Sequence, residues 1–189
     1  MRSSKKAIFL VLFFDQTFLL KKFVVAKTYS QINGQQLCTQ ANAFRIEQGL
    51  SPLPLSYTME TIAQTHLDNL VTNGHNPLNM QCNLHSWYPE TIYNTVINKC
   101  CYPSDPCMTT KAQELTTGWL TPYKGAAAEN TFFSSGSGFN AQASANRIIE
   151  SWKVSSKHRA LLLSNTAMVC GAVLNYTFVQ SAVNSLALL

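Results

Sequence analysis

Trp152-Lys-Val-Ser-Ser-Lys-His158-Arg-Ala-Leu-Leu-Leu163 sets a tryptophan six residues ahead of a histidine, and the histidine ahead of three leucines. Upstream, Ala128-Glu129-Asn130 places a carboxylate before the helix that leads to this tryptophan. Further back, Cys82-Asn-Leu-His85-Ser-Trp87 adds a second imidazole. One carboxylate and two imidazoles thus lie on separate segments. A fold that gathers them has the groups to bind a metal or to run acid–base chemistry.

Outward from that stretch, Ala143 to Trp152 carries Ala145, Ile148, Ile149 and Trp152 at helical spacing, and a short helix from near Ser156 closes on Leu161–Leu163. Met168-Val-Cys-Gly-Ala-Val-Leu-Asn-Tyr176 and Phe178 are apolar and partly β-branched, as a strand or strand pair requires. Toward the N-terminus, Leu37–Gln48 suits a helix stopped by Gly49. Ser51-Pro-Leu-Pro54 then forces an extended connector. A clearer helix follows, capped by Ser56 or Thr58, with Met59, Ile62, Ala63, His66, Leu67 and Leu70 on one stripe and Asn73-Gly74 at its end. His66 reads there as a helix-face residue packed between Ile62 and Leu70. From His75 to Gly125 periodicity fades and four cysteines appear, so a disulfide-held loop region is expected. Ser134-Ser-Gly-Ser-Gly138 reads as a connector that lacks the G-x-S-x-G spacing of a nucleophile elbow. Helices first and strands late, with an antiparallel or mixed sheet, indicate the α+β class.

At 189 residues the chain has the size of one domain, and 46% hydrophobic against 12% charged residues excludes disorder. The net charge of +5 is concentrated at the start. Five of the fourteen cationic residues and one of the nine acidic residues lie in the first 22 positions, leaving nine against eight. The body is nearly neutral and carries no electrostatic footprint for nucleic acid. Arg2, Lys5 and Lys6 precede the apolar run Ala7–Phe14, and Val24-Val-Ala26 offers small residues for cleavage. Residues 1–26 are therefore expected to be a signal peptide removed near Ala26, with membrane contact only if this segment stays uncleaved. In the oxidising compartment this implies, Cys38, Cys82, Cys100, Cys101, Cys107 and Cys170 are expected to form up to three disulfides, of fifteen pairings open to six cysteines. Asn175-Tyr-Thr177 is a glycosylation sequon. The apolar end, residues 179–189, reads as a C-terminal tail too short for a lipid-anchor signal.

Several of these motifs resemble the CAP superfamily, the SCP-domain proteins that include cysteine-rich secretory, antigen 5 and pathogenesis-related proteins. Asn42-Ala-Phe-Arg45 with Gly49-Leu-Ser-Pro-Leu-Pro-Leu55 is similar to that family's first helix and its exit, and Ile62–Leu70 to its second helix. Ala128-Glu129-Asn130 stands where the family has Gly-Glu-Asn. Trp152–Leu163 resembles the microbial W-x-x-S-x-x-H-R-x-x-L-L form, and Cys170-Gly-Ala-Val173 the following strand. The likeness covers about residues 35–178, taken as the domain. It implies a three-layer α-β-α sandwich with a central antiparallel sheet.

The resemblance also implies a cleft where two histidines and two glutamates meet. Carried over, His158 takes the second histidine place and Glu129 the first glutamate place. His85 is assigned to the first histidine, with His75 as the alternative. The second glutamate place, three residues after Trp152, holds Ser155, and Asn130 flanks the cleft. Two imidazoles and one carboxylate imply zinc or another divalent metal held weakly. No serine or cysteine nucleophile with an assigned base is apparent. The resulting expectation is a secreted, extracellular, non-enzymatic binding or interaction module for a sterol, lipid or protein ligand. The alternative is a protease-like hydrolase using His85, Glu129 and His158.

Overall fold

The structure, a computed structural model, describes residues 29–72, 82–92, 94–102, 104–120, 122–134, 141–174 and 182–188. The proposed signal peptide, His75 and Asn175 lie outside these residues.

Helix α1, Tyr29–Glu47, ends in a turn that its sequence dictates. Gly49 adopts φ +76°, its N–H donates to Ile46 O at 2.9 Å, and the Leu50 N–H donates to Arg45 O at 2.9 Å. This double closure needs a left-handed residue after the helix, which glycine supplies without steric cost. Two side chains of α1 then fix the connector. The Asn42 amide donates to Leu53 O and accepts from Leu53 N–H, both at 2.8 Å. The buried Arg45 donates to Ser51 O, Leu162 O and Ser164 O. The Asn42–Arg45 motif is thus a clamp, and burial lowers the Arg45 pKa.

Helix α2, Tyr57–Thr72, starts where Ser56 Oγ accepts the Met59 N–H at 3.3 Å. The hairpin β1 (Glu90–Ile92) and β2 (Thr95–Ile97) follows, with Asn94 in its turn at φ +62°. Helix α3 spans Cys107–Leu115. The region expected to be loop therefore holds a hairpin and a helix. Its strands are three residues each, too short to show alternation in sequence. Strand β3 is Ala128–Ser134, so Ser134 ends a strand where a connector was expected. Helices α4 (Ala141–Val154) and α5 (Ser156–Leu162) and strand β4 (Cys170–Leu174) fall close to the expected places.

The last strand, β5 (Ala182–Leu188), corrects the reading of residues 179–189 as a tail. It is the middle strand of an antiparallel sheet ordered β3-β5-β4. The domain accordingly extends past residue 178, because the sheet is continuous only through this strand. One layer against the sheet is α1, α4 and α5, whose core holds Leu37, Phe44, Ile148, Trp152 and Leu162. The other is α2 with α3 and the hairpin, around Met59, Ile62, Trp87 and Leu115. The fold is an α+β sandwich of three layers, as the resemblance implied.

All six cysteines are paired: Cys38–Cys170, Cys82–Cys101 and Cys100–Cys107. The first joins α1 to β4 through the core. The other two hold the hairpin and α3 region together, as expected for its four cysteines.

Sheet register explains how α2 sits. Glu129 of β3, Ala187 of β5 and Gly171 of β4 stand in one row across the strands. Two strand spacings cover about 9.6 Å, and the seven residues from Met59 to His66 rise about 10.5 Å. Helix α2 therefore follows the row, with Met59 over Gly171 and His66 over Glu129. A Cβ built on Gly171 would lie 2.3 Å from Met59 Cβ and 2.4 Å from the Glu60 backbone nitrogen. Backbone cannot step aside as a side chain does. Gly171→Ala is thus expected to cost about 3 kcal/mol, the upper end of overpacking. A urea midpoint equal to that of the wild type would refute the close approach.

Candidate functional site

Glu129 lies at the centre of the polar group, its side chain 8% exposed. One carboxylate oxygen, Oε1, accepts from His66 Nδ1 at 2.7 Å, and Oε2 accepts from His85 Nδ1 at 2.9 Å. Burial alone would raise the Glu129 pKa. The His66 charge and hydrogen bond, with the hydrogen bond and charge of His85, outweigh it and hold the carboxyl well below the usual range.

His66 is the site residue whose role the sequence reading did not assign. It does lie on the buried stripe of α2, but its ring is not simply packed. While Nδ1 faces Glu129, Nε2 donates to the Ser86 carbonyl at 3.1 Å, and the ring stacks on Trp87 at 4.2 Å between centroids. Both ring nitrogens face oxygen acceptors, the arrangement of a ring donating from both sides. The signal was available: an imidazole in an apolar stripe must find partners, because buried polar groups are hydrogen-bonded. One turn further along α2, Asn69 accepts from Tyr88 N–H at 2.9 Å, donates to Tyr88 O at 3.0 Å, and also donates to Glu90. His66 and Asn69 thereby bind the 86–88 segment to the helix.

His85 is positioned by its own segment. Asn83 Oδ1 accepts the His85 N–H at 3.0 Å, and Trp87 exchanges backbone hydrogen bonds with Cys100. The Cys82–Cys101 bridge closes the same loop, and Tyr102 meets the His85 ring edge-on at 5.3 Å. His85 thus stands beside Glu129, as His66 does.

His158 belongs to α5. Its backbone carbonyl accepts from the buried Asn130 side chain at 3.0 Å, and its ring lies 6.2 Å from that of Trp152. Burial first, and then the charge of His85, lower its pKa. Ser155 occupies the extended position just before α5, and its carbonyl accepts from Arg159 N–H at 2.8 Å. Arg159 lies over the Phe44 ring at 5.1 Å and donates to Gln48.

A metal fits this donor set poorly. Among the described residues no three His, Cys, Asp or Glu side chains are arranged to hold an ion. His66 directs both nitrogens at oxygens, and Glu129 spends both oxygens on imidazoles. Nε2 of His85 and the ring of His158 remain, fewer than the three protein ligands of an open zinc site.

Comparison with known proteins agrees with the fold. Residues 39–179 match CAP, the cysteine-rich secretory protein family. The chain belongs to this family. Among solved structures it is similar to an outer surface protein of Borrelia burgdorferi, at 15% identity and a TM-score of 0.51, covering 86% of this chain and 96% of that one. A cysteine-rich secretory protein of Staphylococcus aureus matches at 18% identity and TM-score 0.48, covering 84% of this chain and 39% of that one. An extracellular SCP-domain protein of Bacillus anthracis matches at 15% and 0.47, covering 83% and 40%. This chain thus spans about two fifths of the length of the last two. No curated protein matches it significantly.

Proposed function

We propose that the chain is a secreted CAP-domain module that works outside the cell by binding rather than by catalysis. The observation that carries this reading is that the central pair, Glu129 and His66, is held from both sides, and that no thiol is free. Glu129 is held by two imidazoles, His66 is spent on Glu129 and Ser86, and every cysteine is in a disulfide. A general base must keep its lone pair within reach of the proton it removes, and the two imidazole bonds stabilise the Glu129 anion and so weaken it as a base. Three disulfides fit an oxidising, extracellular location.

Beside the Glu129–His66 pair lies a narrow pocket with Ile62, Trp87, Met108 and Ala112 in its walls. Apolar walls beside a fixed polar group suit a lipid or sterol, or an apolar side chain of a protein partner. Two experiments test the reading. Mass spectrometry of the natively secreted protein is expected to find co-purifying apolar ligand. Hydrolase profiling of wild type and His158→Ala is expected to find no turnover that the substitution abolishes. Turnover lost in the variant would overturn the reading in favour of a hydrolase.

Zinc provides a separate check. Calorimetry at pH 7.5 is expected to show binding too weak to saturate, fading as pH falls below the ordinary imidazole value of about 6.5, since burial lowers the His158 pKa. The same titration of His158→Ala is expected to show none. A tight stoichiometric site in the wild type would contradict the donor count.

A further inference from the structure

A groove of about 170 Å³ lies where α2, the β1–β2 hairpin and the turn after α3 meet. Helix α2 contributes Thr61, Ile62 and Thr65, and the hairpin contributes Ile92 and Thr95. Leu115 ends α3, and Trp119 follows on a pinned turn. The pin is the fully buried Thr116, whose hydroxyl donates to Ala112 O at 2.8 Å and accepts the Tyr123 N–H at 2.9 Å. Its carbonyl accepts from the Trp119 backbone N–H at 3.0 Å, and Gly118 turns the chain at φ +86°. The Cys100–Cys107 bridge ties the segment after the hairpin to α3. The walls are therefore set before anything binds, which spares a ligand the cost of ordering them. The groove shares only Ile62 with the pocket beside Glu129.

The lining is mixed, and each kind of side chain limits what fits. Among the described residues no charged side chain lines the groove, so an ion would lose hydration there without a counter-charge. Ile62, Ile92 and Leu115 are buried and apolar, and Trp119 is half-buried at the rim. The Thr61 hydroxyl donates to Tyr57 O at 2.9 Å, and the Thr65 hydroxyl to Thr61 O at 2.8 Å. Their protons are spent within the helix, and each oxygen keeps acceptor capacity. A matching ligand is neutral, apolar on one face, and donates several hydrogen bonds along an edge. A phenol has one such donor, whereas a sugar ring has several. The size agrees, since a cavity of about 150 Å³ takes up a single six-membered ring.

We propose that this groove binds one neutral pyranose ring, as a free sugar or as a unit of a glycan chain. The C–H face of the ring, whose hydrogens are slightly positive, lies against the electron-rich face of the Trp119 indole. Its hydroxyls donate to the oxygens of Thr61 and Thr65, and the Thr95 hydroxyl meets it from the hairpin. A site one ring wide is weak, with a Kd of about 1 mM for a ligand of this size. Binding here uses none of the His–Glu residues, so its failure would leave the function proposed for that group untouched.

The test titrates the full secreted chain with methyl glucoside, methyl galactoside and methyl mannoside. Sodium glucuronate is the charged control and cyclohexanol the apolar one. Trp87 and Trp152 are 4% and 1% exposed, so a change in tryptophan emission reports Trp119. At least one glycoside is expected to saturate that change with a Kd of about 1 mM, and neither control is. Trp119→Ala, followed by saturation-transfer NMR, is expected to weaken binding about tenfold or more through loss of the aromatic face. Thr61→Val keeps the shape of the side chain and is expected to weaken binding about fivefold, the loss of one hydrogen bond. An unchanged thermal midpoint checks the folding of both variants. Tighter binding of the matching oligosaccharide identifies a glycan chain as the source, and equal binding a free sugar; either result supports the site. Saturation by cyclohexanol alone would overturn the proposal in favour of an apolar ligand. Glucuronate bound as tightly as the glycosides would overturn it, as would no response to any glycoside or binding unchanged in both variants.

Discussion

Replacing Cys38 and Cys170 together by alanine is expected to lower stability by about 5 kcal/mol. The bridge joins residues 132 apart in sequence, so it closes most of the domain into one loop. In the chain-entropy account a 100-residue loop contributes about 4.7 kcal/mol, and the contribution grows with the logarithm of loop length. Cys82–Cys101, at separation 19, is worth about 3 kcal/mol on the same scale, and Cys100–Cys107, at separation 7, less. Position adds to length. Both Cys38 and Cys170 are wholly buried. Cys170 also accepts from Ser56 N–H and donates to Pro54 O, at the residues that lead into α2. A domain with only about 5–15 kcal/mol of total stability has little left after such a loss. Urea unfolding followed by circular dichroism, without reductant, is the measurement. If the Cys82/Cys101 double variant loses as much as the Cys38/Cys170 variant, loop length is not the controlling variable.

The same bridge marks what the sequence could and could not reveal. Its cysteines were visible, but fifteen pairings were open, and only the sheet brings residue 170 under residue 38. Helix α2 was legible because a capping serine and an apolar stripe are local signals, and its observed start at Tyr57 obeys them. Strand β5 was not. Its partner β3 is remote in sequence, and an apolar terminal run carries no local mark of lying mid-sheet. The site shows the same division. His85, Glu129 and His158 came from motifs along the chain, whereas the role of His66 depends on register, since α2 follows the row of the sheet containing Glu129. A stripe of six residues at helical spacing identifies a buried face, and it does not say which of them meets a carboxylate.

Because that carboxylate is buried between two imidazoles, Glu129→Gln is expected to be the most damaging single change at the site. Removing one partner of a buried charged pair costs about 3–5 kcal/mol, since the other partner is left without compensation. His66 would keep its bond to the Ser86 carbonyl and its stack on Trp87, but would lose the anion 2.7 Å from Nδ1. The effect has a pH signature whose sign is fixed. The Glu129 pKa is depressed in the folded protein, so its contribution is complete above the unfolded value of about 4.3 and is lost as pH falls toward the folded value. Urea midpoints of wild type and Glu129→Gln are therefore expected to differ by a constant amount from pH 7 to pH 5 and to converge below about pH 4.3. Glutamine does not titrate, so the convergence comes from the wild type losing stability. A gap that holds unchanged down to pH 2.5 would show that Glu129 is not stabilised as an anion, and a variant as stable as the wild type at pH 7 would remove it from the centre of the site.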